Sequence, residues 1–353
     1  MSARVALIGY GLAGSAFHAP LIDAEPGLDL AAVVTRDPQR RAEAERRHPG
    51  VRLLDTPGDV FAGAADFDLV VVASPNVTHV PLARAAIDAG LDVVVDKPLA
   101  ASARAARELA DHAAARGRLL IPFHNRRWDG DFLTLQRLVE LGALGDVARF
   151  ESRFDRWRPQ VREGWREHGA PEEAGGLLYD LGVHLIDQAL VLFGPAAQVY
   201  AELDRRRAGA QVDDDVFVAI THRSGVRSHL WASMLAGHLA PRLRVVGTSA
   251  TYVKAGLDVQ ESQLRAGLRP ADPAFGGEEE SAWGALHAGE ETQTIETQRG
   301  RYPGFYAGVV TALRGGALPV RPEDAVAALA VIDAARASAA EGRVVTLASP
   351  EPA

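Results

Sequence analysis

Amine, imidazole and carboxylate groups cluster in two short stretches of this chain. The first is Asp96-Lys97-Pro98, directly after the unbroken apolar run Val93-Val94-Val95. A β-branched run of this kind suits a parallel strand covered on both faces, and Pro98 stops it. Asp96 and Lys97 then fall at the carboxyl end of a buried strand, the edge of an open α/β sheet where ligands bind. A surface lysine after a core strand is the competing reading. A cis Lys97–Pro98 bond is compatible with the sequence, although cis is a minority state. The second stretch is Asp180-Leu181-Gly182-Val183-His184, whose i,i+4 spacing puts the acid and the imidazole on one helix face. Such a pair can be a plain surface pair, two metal ligands awaiting a third, or an acid–base pair beside a redox cofactor. Histidine suits the last role, because it can take the proton of an alcohol as hydride leaves.

The elements that position Lys97 read as alternating strands and helices. Val5–Ile8 is a buried strand that runs into Gly9-Tyr10-Gly11-Leu12-Ala13-Gly14 and then a helix to about Ile22. In a dinucleotide site the first glycine makes the turn and the second admits the pyrophosphate to the backbone. The third lets helix and strand pack closely, and the helix N-terminus faces the phosphates. Strands follow at Leu28–Val34, Val51–Leu54, Leu69–Ala73, Val93–Val95 and Leu119–Phe123. The second ends in Thr35 and Arg36 where an NAD site usually has an acid. Arginine pairs well with a 2′-phosphate, which favours NADP; Asp37, one residue further on, keeps NAD open. Ser74-Pro75-Asn76 follows the Leu69–Ala73 strand at the same edge, with Asn76 a candidate for ribose or nicotinamide hydrogen bonds. His79 opens the next helix, where histidines more often cap or pack than catalyse. With Asp96 and Lys97 these residues form the expected cofactor set.

The second half reads differently. A helix near Leu177–Leu192 carries the Asp180/His184 pair. Strands at Val147–Phe154, Val199–Leu203, Val216–His222, Arg227–Met234, Leu243–Gly247 and Thr251–Lys254 are joined by turn residues, which predicts a mostly antiparallel sheet. One face of that sheet needs a cover, from helices or from another copy of the chain. Pro270–Arg301 reads as loops with a short strand at most, and Glu323–Ala340 as a final helix. Tyr302-Pro303-Gly304-Phe305-Tyr306 fits either a lid or plain packing.

Bulk composition bounds the class. The chain has 353 residues, 47% hydrophobic and 24% charged, with net charge −8 and no cysteine. The length predicts two domains. The negative charge argues against a nucleic-acid or anionic-membrane surface, although arginines interleave with Trp157 and Trp165 over Arg153–Arg166. Without cysteine there is no disulfide or thiolate metal site. The N-terminus lacks a secretion signal, and no apolar run approaches a membrane span, so a cytoplasmic protein is expected.

Gly9–Gly14, Asp96-Lys97-Pro98 and Asp180-x-x-x-His184, in this order, resemble the Gfo/Idh/MocA oxidoreductase family over nearly the whole chain. Phe17-His18-Ala19-Pro20-Leu21-Ile22, Phe123–Asp129 and Phe154–Arg162 resemble in particular its bacterial branch of NADP-dependent scyllo-inositol dehydrogenases and their relatives. Asp96 departs from the usual glutamate of the family. The resemblance implies an α/β chain: an N-terminal Rossmann doubly wound parallel sheet plus a C-terminal α+β domain with a large open, mostly antiparallel sheet. It implies hydride transfer between NADP (or NAD) and a secondary alcohol of a cyclitol or sugar, with Lys97, Asp180 and His184 meeting over the nicotinamide. No metal is expected.

The expected boundaries are 1–123 for the nucleotide domain and 124–322 for the substrate and oligomerisation domain. Residues 323–353 form a C-terminal helix and tail expected to pack near the first domain. Arg126 is the candidate substrate contact, and a homodimer or homotetramer is expected. Two alternatives stay open: an NADP-dependent aldose or keto-sugar reductase, and a nucleotide-sensing regulator without catalysis.

Overall fold

The computed structural model describes residues 2–161, 167 and 173–348. Arg162, Trp165 and Arg166 of the basic segment lie outside the described residues. Contacts divide the chain into two units. The first holds Met1–Trp128, Val259–Phe275 and Arg301–Val326; the second holds Asp129–Asp258, Gly276–Gly300 and Ala327–Ala353.

The first unit is built on β1 (Ala3–Ile8), β2 (Leu28–Val34), β3 (Arg52–Leu54), β4 (Leu69–Val72), β5 (Asp92–Asp96) and β6 (Leu120–Phe123). They are all parallel and lie in the order β3-β2-β1-β4-β5-β6. Every residue of β4 is buried, as the apolar run requires of a strand with both faces covered. The order reverses beside β1, so the ends of β1, β4 and β5 line up along one carboxyl edge.

Two segments expected in the second domain, 259–275 and 301–322, pack in the first unit instead. Leu264, Phe275, Tyr302, Phe305, Tyr306 and Val309 are the reason: all are buried in the core around β1, β4 and Phe123. The Tyr302–Tyr306 motif is therefore packing, and Pro303–Leu313 is a helix.

The second unit contains β7 (Val147–Asp155), β8 (Ala196–Asp204), β9 (Asp215–His222), β10 (Arg227–Ser233), β11 (Leu243–Gly247), β12 (Thr251–Lys254), β13 (Gly284–Ala288), β14 (Glu291–Ile295) and β15 (Val345–Thr346). Their order is β14-β13-β12-β11-β7-β10-β9-β8-β15, and all neighbours are antiparallel except β7 and β10. Val216, Val218, Ile220 and His222 of β9 turn to the buried face, on which the helix Val183–Phe193 packs against β7 and β10. The hairpin β13–β14 replaces an expected loop. Its outer strand is exposed and polar, so it carries no apolar alternation to reveal it. The C-terminal tail joins this unit rather than the first: β15 pairs with β8, and the Ala201 amide donates to Ser338 Oγ at 3.0 Å. Among the described residues no helix is long and apolar enough to cross a membrane.

Candidate active site

In the first unit the glycine loop leaves β1 beside the ends of β4 and β5. Gly9 has φ +100°, and a Cβ there would stand 2.5 Å from the Ala73 carbonyl oxygen. A Cβ on Gly14 would stand 2.1 Å from the Gly9 oxygen. Both glycines are required by the fold itself. Gly11 is different: its Cβ would meet nothing nearer than Arg40 Nη1 at 4.0 Å. The space left open above Gly11, ahead of the helical turn Gly14–His18, is a cradle for a pyrophosphate. The residues present thus fit a nicotinamide dinucleotide. Leu12 is exposed, whereas Tyr10 is 1% exposed and its hydroxyl meets His48 Nε2 at 2.9 Å. Only the Tyr10 backbone can face a nucleotide. Burial pushes the Tyr10 phenol up to about 12.

Ser74, Pro75 and Asn76 form the turn after β4. Thr78 braces it, with its hydroxyl 2.6 Å from Ser74 Oγ and donating to the Pro75 carbonyl at 2.7 Å. His79 lies beneath this turn, fully buried. Lys97 is half-buried at the end of β5, and its peptide bond to Pro98 is cis. Asp96 points inward: Oδ1 accepts the Lys97 amide at 2.9 Å and lies 4.0 Å from His18 Nε2. His18 is fully buried against Phe123, and its Nδ1 is 2.7 Å from the Tyr306 hydroxyl. Burial holds the His18 imidazole down to about 4 and lifts the Tyr306 phenol well above its ordinary range.

Thr35 and Arg36 follow β2, next to β1. The Asp37 carboxylate caps the following helix, accepting the Gln39 and Arg40 amides at 2.9 and 3.2 Å. Arg126 is committed elsewhere. It is 6% exposed and donates to Glu261 at 2.6 Å in a buried ion pair.

In the second unit Asp180 and His184 share one helix, with a π-helical turn over Leu178–Gly182 before the α-helix Val183–Phe193. Asp180 is half-buried and His184 is 5% exposed. The start of this helix is held by Asp213, a residue the sequence did not reveal. Its carbonyl accepts the Leu177 amide at 2.9 Å, and its Oδ2 accepts the Leu178 amide at 2.7 Å. Burial raises the Asp213 carboxyl, and these amide bonds oppose that rise. The signal was hidden because Asp213-Asp214-Asp215 looks like a solvated charge run. The arginines of β7 and β11 are likewise paired, with Glu151 meeting Arg244 at 2.7 Å and Arg149 at 3.2 Å. Among the described residues no three acidic, histidine or cysteine side chains gather as a metal-binding group.

A glycine-loop parallel sheet joined to a second domain with an Asp/His helix on an open sheet defines a two-domain, dinucleotide-dependent oxidoreductase. The chain belongs to the Gfo/Idh/MocA oxidoreductase family: its NAD-binding Rossmann fold matches residues 3–124 and its C-terminal α/β domain residues 136–347. An uncharacterised oxidoreductase of Escherichia coli, YdgJ, is 44% identical over 94% of each chain. The scyllo-inositol 2-dehydrogenase (NADP(+)) IolW of Bacillus subtilis is 34% identical over 98% of this chain and 96% of its own. A solved structure from Yersinia pestis superposes with TM-score 0.92 at 38% identity, covering 99% of this chain and 98% of that one. The protein is an NAD(P)-dependent dehydrogenase acting on CH–OH groups.

Proposed function

We propose that this dehydrogenase transfers hydride between NADP and a secondary alcohol of a cyclitol or sugar, in the cytoplasm, with scyllo-inositol the first substrate to try. The observation that carries the reading is the shared edge of β1, β4 and β5, where the room above Gly11 lies and where Lys97 follows the end of β5. The likeness to a scyllo-inositol 2-dehydrogenase over nearly the full chain supports the substrate class. Support for NADP comes from Asp37, whose carboxylate is spent on a helix cap, and from Arg36 and Arg40, both exposed beside the glycine loop. Two exposed arginines suit a 2′-phosphate, and Asp37 is held by the helix cap and by Arg40, whose Nε lies 3.7 Å from its Oδ2.

The nicotinamide supplies the hydride acceptor or donor. The protein's own groups handle the proton and the oxygen. His184 takes the hydroxyl proton as the carbonyl forms and returns it in the reverse direction. The Lys97 ammonium holds the substrate oxygen and favours negative charge on it. Asp180 orients the substrate or the imidazole. The half-exposed face of the large sheet, with Arg153 stacked 3.9 Å above the Trp231 ring beside Phe217, is read as the contact between copies in a homodimer or homotetramer.

A screen of polyols and sugars with NADP and NAD, followed by nicotinamide absorbance, tests the reading. Turnover of a cyclitol with NADP supports it. Activity confined to reduction of keto-sugars or aldoses favours the reductase alternative. Tight nucleotide binding with no turnover marks a regulator instead.

A further inference from the structure

His79 poses a problem of hydrogen-bond stoichiometry. Its Nδ1 lies 2.8 Å from the Pro98 carbonyl oxygen and its Nε2 lies 2.9 Å from the Ser74 carbonyl oxygen. Carbonyl oxygens only accept. A neutral imidazole has one N–H and one lone pair, so it satisfies one carbonyl and sets a lone pair against the other. An imidazolium donates to both.

Other buried histidines escape this conflict. His222 Nδ1 meets the Gly194 carbonyl, but its Nε2 meets the Ser228 hydroxyl, which can donate. His48 likewise has a carboxylate on one side and the Tyr10 hydroxyl on the other. Neither ring sits between two carbonyl oxygens.

The surroundings of His79 pull in opposite directions. Burial lowers its tendency to hold a second proton, and the Lys97 ammonium adds to that. The Asp96 carboxylate and the two carbonyls favour the proton. His18, on the other side of Asp96, is kept neutral by its own burial and does not compete for that carboxylate. Burial is the largest of these influences and leaves the His79 imidazole lowered on balance; the hydrogen-bond geometry opposes it, because a neutral ring sets a lone pair against one of two buried carbonyl acceptors.

We propose that His79 is a positioning residue that clamps the Ser74–Asn76 turn to the Lys97–Pro98 segment, and that it does so as an imidazolium countered by Asp96. The two clamped segments follow neighbouring strands, β4 and β5, and carry Asn76 and Lys97. A double donor between them fixes the spacing of those two side chains. Loss of the proton releases one carbonyl and loosens the edge. The consequence for nucleotide binding rests on the cofactor reading above; the protonation state does not.

The test begins with the wild-type protein carrying ¹⁵N-histidine. Correlation of ring carbons' protons with ring nitrogens reports each nitrogen of the eleven histidines as protonated or not. The His79 signals are assigned by their loss in His79→Gln, or through the backbone should that variant not fold. Both His79 nitrogens are expected to be protonated at pH 7. At higher pH one loses its proton, and the dissociation constant for NADPH rises with the same midpoint. In His79→Gln the two amide donors sit on one nitrogen of a flexible chain instead of on two nitrogens set apart across a rigid ring, and the amide does not titrate, so NADPH binds about tenfold more weakly and without that titration. A single unprotonated His79 nitrogen at pH 7 overturns the imidazolium. Unchanged NADPH affinity and pH profile in His79→Gln overturn the positioning role. Absence of any nicotinamide nucleotide binding by the wild type overturns the cofactor reading, while the nitrogen signals still decide the clamp.

Discussion

The Leu178 amide donates to Asp213 Oδ2 at 2.7 Å, across 35 positions of sequence. This bond ties the start of the helix bearing Asp180 and His184 to the loop before β9. The fit is close, since a Cβ on Gly176 would stand 2.3 Å from Asp213 Oδ1. Asp213→Ala leaves the Leu178 amide without its acceptor and is expected to cost about 1–2 kcal/mol, measured by urea unfolding. Turnover should fall more than substrate affinity, because the helix start aims the reacting pair. Unaltered kcat would separate the cap from the chemistry.

The three loop glycines should behave unequally. Gly14→Ala drives a methyl into the Gly9 carbonyl and is expected to destabilise the fold by about 1–3 kcal/mol. Gly11→Ala meets open space, so stability should change by no more than about 0.5 kcal/mol. It fills the cradle, however, and should weaken NADPH about tenfold or more. Thermal unfolding and fluorescence titration of both variants read the contrast. Equal loss of stability in both would remove the cradle.

His184→Ala is expected to keep nucleotide affinity and lose roughly 10²–10⁴ in turnover, the range of general acid–base catalysis. Stopped-flow hydride transfer with the best polyol from the screen measures it. Wild-type turnover in this variant would take His184 out of the mechanism.

His18 makes stability depend on pH. Its folded-state imidazole is held down to about 4, below its ordinary value of 6.5. Between those values the unfolded chain binds a proton that the folded chain refuses, so stability rises with pH. The contribution is fully present above pH 6.5 and is lost as pH falls toward 4, by about 3 kcal/mol in all. His222, lowered by burial as well, adds to the same slope. Urea unfolding at several pH values should show this slope in the wild type and a shallower one in His18→Asn. Identical slopes would place the pH dependence elsewhere.

Arg40→Ser should cut affinity for NADP while leaving NAD nearly unchanged. A charge-assisted contact of this kind is worth about 1.5–3 kcal/mol, or roughly tenfold or more in Kd. Calorimetric titration with both nucleotides decides it. Equal weakening toward both would mean that Arg40 does not read the 2′-phosphate.

Much of the first unit was legible in sequence because its signals are local. The apolar runs of β1, β4 and β5 need no partner to be recognised, and a glycine loop between strand and helix announces its own turn. The pair Asp180/His184 was legible for the same reason: four residues on a helix fix a shared face. The hairpin β13–β14 escaped because an exposed edge strand has no buried face to imprint a pattern on its residues.

The sequence alone determined the strands that have a buried face, where the loop glycines must be, and which ionisable groups stand at strand and helix ends, since short-range sterics and burial periodicity set these. Only the tertiary structure decided what those groups face. It committed Arg126 to Glu261, Asp37 to a helix cap and His79 to two carbonyls, and it drew 259–275 and 301–326 into the first unit. The partner of Arg126 and these core neighbours of the first sheet come from residues more than a hundred positions away, and no local pattern encodes that distance.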